Sequence, residues 1–246
     1  MKIVAMIPAR YDSERLPGKL MMDLGGIPII LRTYQNVIRS GLFDDVFVIT
    51  DSEMIFRLIK KNGGNVFMSS VKHDNGSDRI AEFASKINSD LILNVQGDEP
   101  FIDKSSLEKL ISVFIDDDKK NIDLASIMQL ITNEREILSP NNVKVVVDEN
   151  NFAMYFSRSI IPFNRSKDKN IKYFKHIGVY AFRKESLLYY YKSKSTKLEK
   201  LEKLEQLRFL ENGKKIKMVQ TDYEGYGIDV MEDLINARKI LDEKTS

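Results

Sequence analysis

From Lys2 to Ile7 the chain reads KIVAMI, an apolar run closed by Pro8 that is too short for a helix and suits a buried strand. PIILRTYQNVIRSG then carries apolar residues at helical spacing, with Pro28 at a first helical position and Gly41 as its stop. The alternation repeats: DDVFVITD predicts a strand, SEMIFRLIKKNGG a helix opened by Ser52 and ended by Gly63 and Gly64, and NVFMS a strand. SDRIAEFASKIN predicts a helix capped by Ser77, and DLILNV another buried strand. Continuous apolar strands alternating with amphipathic helices over about a hundred residues predict an α/β protein with a mostly parallel, Rossmann-like sheet covered on both faces.

After DKSSLEKLISVF the regularity changes. LASIMQL, VKVVVD, FAMYFS and FKHIGVYAF are strand-like runs separated by polar turns, which predicts an antiparallel β region inserted at about residues 121 to 182 of a single domain spanning 1–246. TKLE opens a helix with a capping box, Thr196 paired with Glu199, and Gly213 ends it. Its Leu198, Leu201, Leu204, Leu207 and Leu210 recur every three residues, so the stripe drifts by about 60° per step and describes a helix packed on more than one side, not a heptad seam. IKMVQ predicts a strand and VMEDLINARKIL a closing helix.

Composition narrows the chemistry. With 38 Lys+Arg against 36 Asp+Glu the formal charge is +2, which provides no broad basic face for nucleic acid or anionic lipid, so anion binding has to be local. Zero cysteines remove disulfides, thiolate metal sites and a cysteine nucleophile. No signal-like opening and no apolar run near the roughly 20 residues needed to span a bilayer is present, so the expectation is a cytoplasmic protein with no membrane partner.

In parallel sheets ligands bind in loops beyond the carboxyl ends of the strands, and two such loops stand out. IPARYDSERLPGK gathers Arg10, Arg15 and Lys19 after the first strand, a mixture of forked and point charges suited to a polyphosphate, although a solvated loop has the same composition. It lacks the spacing of a Walker loop and of G-x-G-x-x-G. NVQGDEP puts Asp98 just past the fourth parallel strand, either as an ordinary turn or, facing a phosphate cradle, as a ligand for magnesium; GYGID offers Asp229 as a second acid.

Taken in order, IPAR-Y-x-S-x-RLPGK, HDNGSDR, NVQGDEP, YFSR, KHIGVYAF, LEKLEQLR and GIDVMEDL resemble the 3-deoxy-manno-octulosonate (KDO) cytidylyltransferase family from Met1 nearly to Asp242. The resemblance implies the nucleotidyltransferase fold of the nucleotide-diphospho-sugar transferase type, CTP and magnesium as requirements, CMP-KDO for lipopolysaccharide as product, a Gram-negative cytoplasm and a homodimer. Carried over by position, it gives Ala9, Arg10, Arg15, Lys19, Ser77 and Arg79 to the nucleotide, with Arg10, Lys19, Asp98 and Asp229 as catalytic groups and Asp98 and Asp229 as the metal ligands. Gln96, Arg158, Arg165, His176, Tyr180, Glu205 and Gln206 fall to the eight-carbon sugar acid, the arginine pair suiting its carboxylate. His176 alternates with Gly178 and Tyr180 along its strand, so it also fits a satisfied sheet residue; His73 reads as structural. The chain departs from the family at Leu20, Asn75, Ser77 and Val230-Met231, and its loop before KHIGVY is short. The sugar therefore stays open between KDO and its 8-amino analogue, with a nine-carbon sialic-type acid or a silent nucleotide-binding module as more distant alternatives.

Overall fold

Parallel strands need a crossover between them, and here each apolar run is followed by the amphipathic run that supplies it. The computed structural model describes residues 1–13, 15–69, 71, 73, 75–223 and 225–245. In order it contains β1 (Ile3–Ala9), a 3₁₀ turn at Lys19–Met21, the small hairpin β2 (Asp23–Leu24) and β3 (Ile27–Pro28), α1 (Ile29–Arg39), β4 (Asp45–Thr50), α2 (Glu53–Lys61), β5 (Asn65–Met68), α3 (Gly76–Ala84), β6 (Leu91–Asn94) and α4 (Lys104–Ile115). Then follow β7 (Leu124–Leu130), α5 (Glu134–Leu138), β8 (Lys144–Val147), β9 (Ala153–Ser157), β10 (Phe174–Arg183), α6 (Lys184–Lys192), α7 (Lys197–Glu202), α8 (Gln206–Glu211), β11 (Ile216–Gln220) and α9 (Met231–Thr245).

The chain divides into two compact units, one formed by Met1–Leu107 with Gly225–Ser246 and the other by Glu108–Glu224, a span that contains the 121–182 segment. In the main sheet of the first unit the strand order is β6-β1-β4-β5, and these strands pair in parallel. Val4, Ala5, Met6 and Ile7 are all fully buried, which in a strand requires cover on both faces. Ile29, Ile30, Val37, Ile55 and Ile59 of α1 and α2 are likewise buried, each side chain contributing about 1.5–3 kcal/mol by leaving water. The chain steps outward from β1 to β4 to β5, then returns to place β6 on the other side of β1. The loops after β1 and β6 therefore diverge at the point where the winding reverses, the place where such sheets open a crevice.

In the second unit β7 is central, antiparallel to β10 and parallel to β11. The β8–β9 hairpin joins β10 through Val145 and Lys144, opposite Phe174 and Lys175. A bulge in β10 between Ile177 and Tyr180 is held by Ser126, whose hydroxyl lies 3.2 and 2.9 Å from the Ile177 and Val179 carbonyls.

Four local expectations change. β1 does not close at Pro8 but runs on to Ala9, because β6 pairs with β1 only as far as Met6 and the proline's missing N–H falls beyond that partner. α3 is capped by Asn75, not Ser77: the Asn75 side chain accepts from the Asp78 N–H at 2.8 Å, and Ser77 lies within the first turn. The leucine-striped helix is two helices, α7 and α8, separated by Lys203 in the left-handed region at φ 54°. The break resolves the drifting stripe, since Leu204 and Leu207 turn inward while Leu201 stays 70% exposed. Pro28 also moves by one position, serving as the N-cap of α1.

Candidate active site

A loop of thirteen residues with three cations would be floppy unless tethered. Leu16 and Leu20 are buried, and the Gly18 N–H donates to the Tyr11 carbonyl at 3.1 Å, closing the loop on itself. Gly18 sits at φ 69°, the left-handed backbone that lets the chain turn directly into Lys19. Arg10 and Arg15 remain exposed, but Lys19 is only 8% exposed, and a lysine is rarely so enclosed without a partner.

Its partners are the two acids. The Lys19 ammonium donates to Asp98 Oδ2 at 2.5 Å and to Asp229 Oδ1 at 2.9 Å, while Arg15 reaches Asp229 Oδ2 at 3.0 Å. Burial opposes the charge on Lys19, yet the two carboxylates outweigh it and raise its pKa. Burial likewise pushes the Asp229 carboxyl up, and Lys19 and Arg15 together outweigh that and hold it below its ordinary value. Pro8, Arg10, Ser13, Arg15, Lys19, Leu20, Gly97, Asp98 and Asp229 line one polar cavity.

The backbone around these acids is fixed from several sides. Thr33 of α1, fully buried, donates its hydroxyl to the Gly97 carbonyl at 2.8 Å, and a Cβ at Gly97 would lie 3.0 Å from the Pro8 carbonyl oxygen, so the two loops approach too closely for a larger residue. The Ile228 N–H donates to the Asp98 carbonyl at 3.0 Å, stitching the second acid's segment to the first. Asp233 accepts from the Asp229 and Val230 N–H groups at 2.8 and 2.9 Å and so sets the start of α9. Asp233 has no strong signal of its own in the sequence; its place four residues after Asp229, opening a helix, is the only hint.

Ala9, Ser77 and Arg79 are buried. Ser77 Oγ accepts from Asn94 at 3.2 Å, and Arg79 Nη2 donates to Asp51 at 2.6 Å while its Nη1 is buried with no hydrogen-bond partner among the described residues. Gln96 donates to Asn94 at 3.3 Å, and its side-chain amide lies against Gly76 at the start of α3. Of the HDNGSDR stretch, His73 bonds Glu82 at 2.8 Å, as suits a structural role, and Asp74 lies outside the described residues.

The residues assigned to the sugar acid belong to the second unit, Gln96 excepted. His176 Nε2 lies 2.9 Å from Ser126 Oγ, its Nδ1 lies 3.4 Å from Gln206 Nε2, and the Tyr180 hydroxyl donates to Gln206 Oε1 at 3.3 Å. Burial pushes the imidazole down to about 3, so it is neutral at physiological pH, and burial, with Glu205 adding to it, pushes the Tyr180 phenol well up. Glu205 begins α8. Arg158 Nε and Nη1 donate to the Glu202 and Pro140 carbonyls, each at 3.0 Å, whereas Arg165 is exposed in the loop before β10. The sequence reading missed Lys144, fully buried in β8, and Glu202, which accepts from Ser157 Oγ at 2.6 Å and from the Arg158 N–H at 3.0 Å.

A family model described as Cytidylyltransferase matches residues 4–216. The chain belongs to the cytidylyltransferase family. A 3-deoxy-manno-octulosonate cytidylyltransferase of Flavobacterium johnsoniae is 58% identical, over 98% of this chain and 99% of that protein, and one of Christiangramia forsetii is 51% identical, over 98% and 97%. The solved structure of a CMP:2-keto-3-deoxy-manno-octonic acid synthetase complexed with CTP is 34% identical, covers 99% of this chain and 100% of its own, and superposes with a TM-score of 0.93. Among the described residues of this cytidylyltransferase, no group of three or more acidic, histidine or cysteine side chains is placed to hold a metal ion.

Asp229 links this geometry to acid stability. Its carboxyl is held below its ordinary value in the fold, so the stabilisation it gives is present above the unfolded carboxyl range and is lost as pH falls through the folded value. Asp229→Asn should abolish that contribution. The melting-temperature gap between wild type and variant should be largest above the ordinary carboxyl range and narrow as pH falls below it. A gap that stays constant across that range contradicts the Lys19–Asp229 account.

Proposed function

We propose that this cytidylyltransferase transfers CMP from CTP to 3-deoxy-manno-octulosonate, releasing pyrophosphate and giving CMP-KDO. The observation that carries the reading is the ammonium of Lys19 held between Asp98 and Asp229 in a cavity also lined by Arg10 and Arg15, at the reversal of the parallel sheet. Close identity to proteins of that name supports the substrate pair.

Each group has a part. Arg10, Arg15 and Lys19 offset the triphosphate's charge and stabilise departing pyrophosphate, whose charge grows as the bond to the α-phosphorus breaks. The Nη1 of Arg79, which has no hydrogen-bond partner among the described residues, supports with Ala9 and Ser77 a nucleotide pocket at α3, where such a buried donor favours a ligand that satisfies it. The sugar's anomeric hydroxyl attacks in line. Arg158 and Arg165 bind its carboxylate, and Gln96, neutral His176, Tyr180, Glu205 and Gln206 address its hydroxyls. Asp98 and Asp229 already turn carboxylate oxygens toward one cationic point, a hard-oxygen donor pair that fits magnesium, which takes one or two carboxylates and completes its shell with phosphates and water. Magnesium held there would neutralise phosphate charge and orient the α-phosphate. CTP as substrate puts the reaction in the cytoplasm and its product at the service of lipopolysaccharide synthesis; among the described residues no helix is long and apolar enough to cross a membrane.

The second unit also supports a homodimer. Met154 on β9 is 64% exposed, and Ile160 and Phe163 on the loop after it are 39% and 84% exposed, apolar surface that a second copy would cover.

Pyrophosphate release measured with CTP and, separately, KDO, its 8-amino analogue and a sialic acid tests the reaction. The eight-carbon acids should support turnover, and UTP should lower kcat/KM by at least about tenfold, because buried donors and acceptors matched to cytosine go unpaired against uracil. Turnover with sialic acid alone, no release with any acid, or equal use of UTP contradicts the reading. For assembly, sedimentation equilibrium should give about twice the 28.4 kDa chain mass, and a mass of one chain at micromolar concentration removes the dimer.

A further inference from the structure

Lys144 is the least expected charge in the molecule. It is fully buried in β8, and its ammonium donates to three main-chain carbonyls: Ser139 at 2.9 Å, Asn142 at 2.6 Å and Arg158 at 2.7 Å. A buried ammonium is expensive, and all three of its donors must be met for it to persist. The carbonyls it satisfies come from two separated stretches of chain, the loop 139–142 before β8 and the residue that follows β9.

Those stretches converge on one guanidinium. Arg158 Nη1 rests on the Pro140 carbonyl, between two of the carbonyls that Lys144 holds, and Nε rests on the Glu202 carbonyl. The Glu202 carboxylate in turn grips the Arg158 N–H at 3.0 Å and the neighbouring Ser157 hydroxyl at 2.6 Å. The main chain of Arg158 is thus pinned through its N–H and its C=O, and two nitrogens of its side chain are pinned to carbonyls held by the same frame. One residue further on from the loop, the Val143 carbonyl accepts from the His176 N–H at 2.8 Å. Burial first, and the Arg158 charge second, press the Lys144 pKa down, while Glu202 opposes them. Two cations are therefore held near each other with one carboxylate close to both, an arrangement that favours a further anion.

We propose that Lys144 and Glu202 are positioning residues that aim the Arg158 guanidinium at the carboxylate of the sugar acid. The proposal rests on the reading of Arg158 as a carboxylate-binding group. Neither residue touches substrate. They fix the frame on which the forked donor is presented, and a fork pays off only when its direction is set.

Steady-state kinetics and melting of Lys144→Met, Glu202→Gln, Arg158→Lys and the Lys144→Met/Arg158→Lys double variant test it. Lys144→Met should raise KM for the sugar acid by about tenfold and leave KM for CTP within about twofold, and Glu202→Gln should shift the same parameter by about threefold. The double variant should bind sugar acid no worse than Arg158→Lys alone, since both changes act through one guanidinium. If Lys144→Met does not fold, Glu202→Gln decides. Sugar and CTP constants that move together, or independent multiplicative losses in the double variant, overturn the positioning role. An unchanged sugar KM in Arg158→Lys instead overturns the assignment of Arg158, which separates the two failures.

Discussion

The catalytic unit is organised around one electrostatic fact: two carboxylates carried by loops 131 positions apart face the same point, and a lysine ammonium holds them there. Like charges brought that close would repel and drive one of them to take up a proton. Lys19 bonds to both and, with Arg15, holds the Asp229 carboxyl below its ordinary value. The constraint explains features that otherwise look incidental. The sheet reverses its winding between β1 and β6, which sends the lysine loop and the Asp98 loop out of neighbouring strands. Gly97 admits the close passage of Pro8, Thr33 holds the Gly97 carbonyl, and Asp233 fixes the backbone of Asp229.

The second unit solves a related problem with different chemistry. There a buried ammonium is neutralised mainly by main-chain dipoles, with a single carboxylate in support, and the charge is used to tie loops together. On the proposed function, the difference follows from the task. A site for a polyphosphate and its counter-cation needs acids that can exchange partners, whereas a site for a rigid sugar acid needs donors that keep one direction.

Much of the first unit was legible because its signals are local. KIVAMI, DDVFVITD and DLILNV are continuous apolar runs, and a buried parallel strand needs nothing else to announce it. The family motifs named the residues that line the cavity, but spacing alone could not say that Lys19 would be buried while Arg10 and Arg15 stayed exposed; that depends on Leu16 and Leu20 anchoring the loop. The misplaced cap at Ser77 shows how two adjacent capping candidates compete, and geometry chose Asn75. The undivided helix from Thr196 failed because a lysine can adopt left-handed backbone without advertising it as a glycine would. Lys144 and Glu202 were invisible for a further reason: the three carbonyls that Lys144 bonds and the Arg158 N–H that Glu202 accepts from are backbone groups, and backbone groups leave no trace in sequence.

On the proposed function, Asp98 and Asp229 act as one site for a single magnesium ion. The most direct measurement is magnesium-dependent pyrophosphate release by Asp98→Asn, Asp229→Asn and the double variant, with folding checked by melting. Each single variant should lose about a hundredfold to a thousandfold in turnover, the equivalent of roughly 3 to 4 kcal/mol, and the double variant should lose little more, because removing one ligand already spoils the shared site. Near-normal activity in either single variant, or losses that multiply in the double variant, would mean that the two acids do not serve one cation.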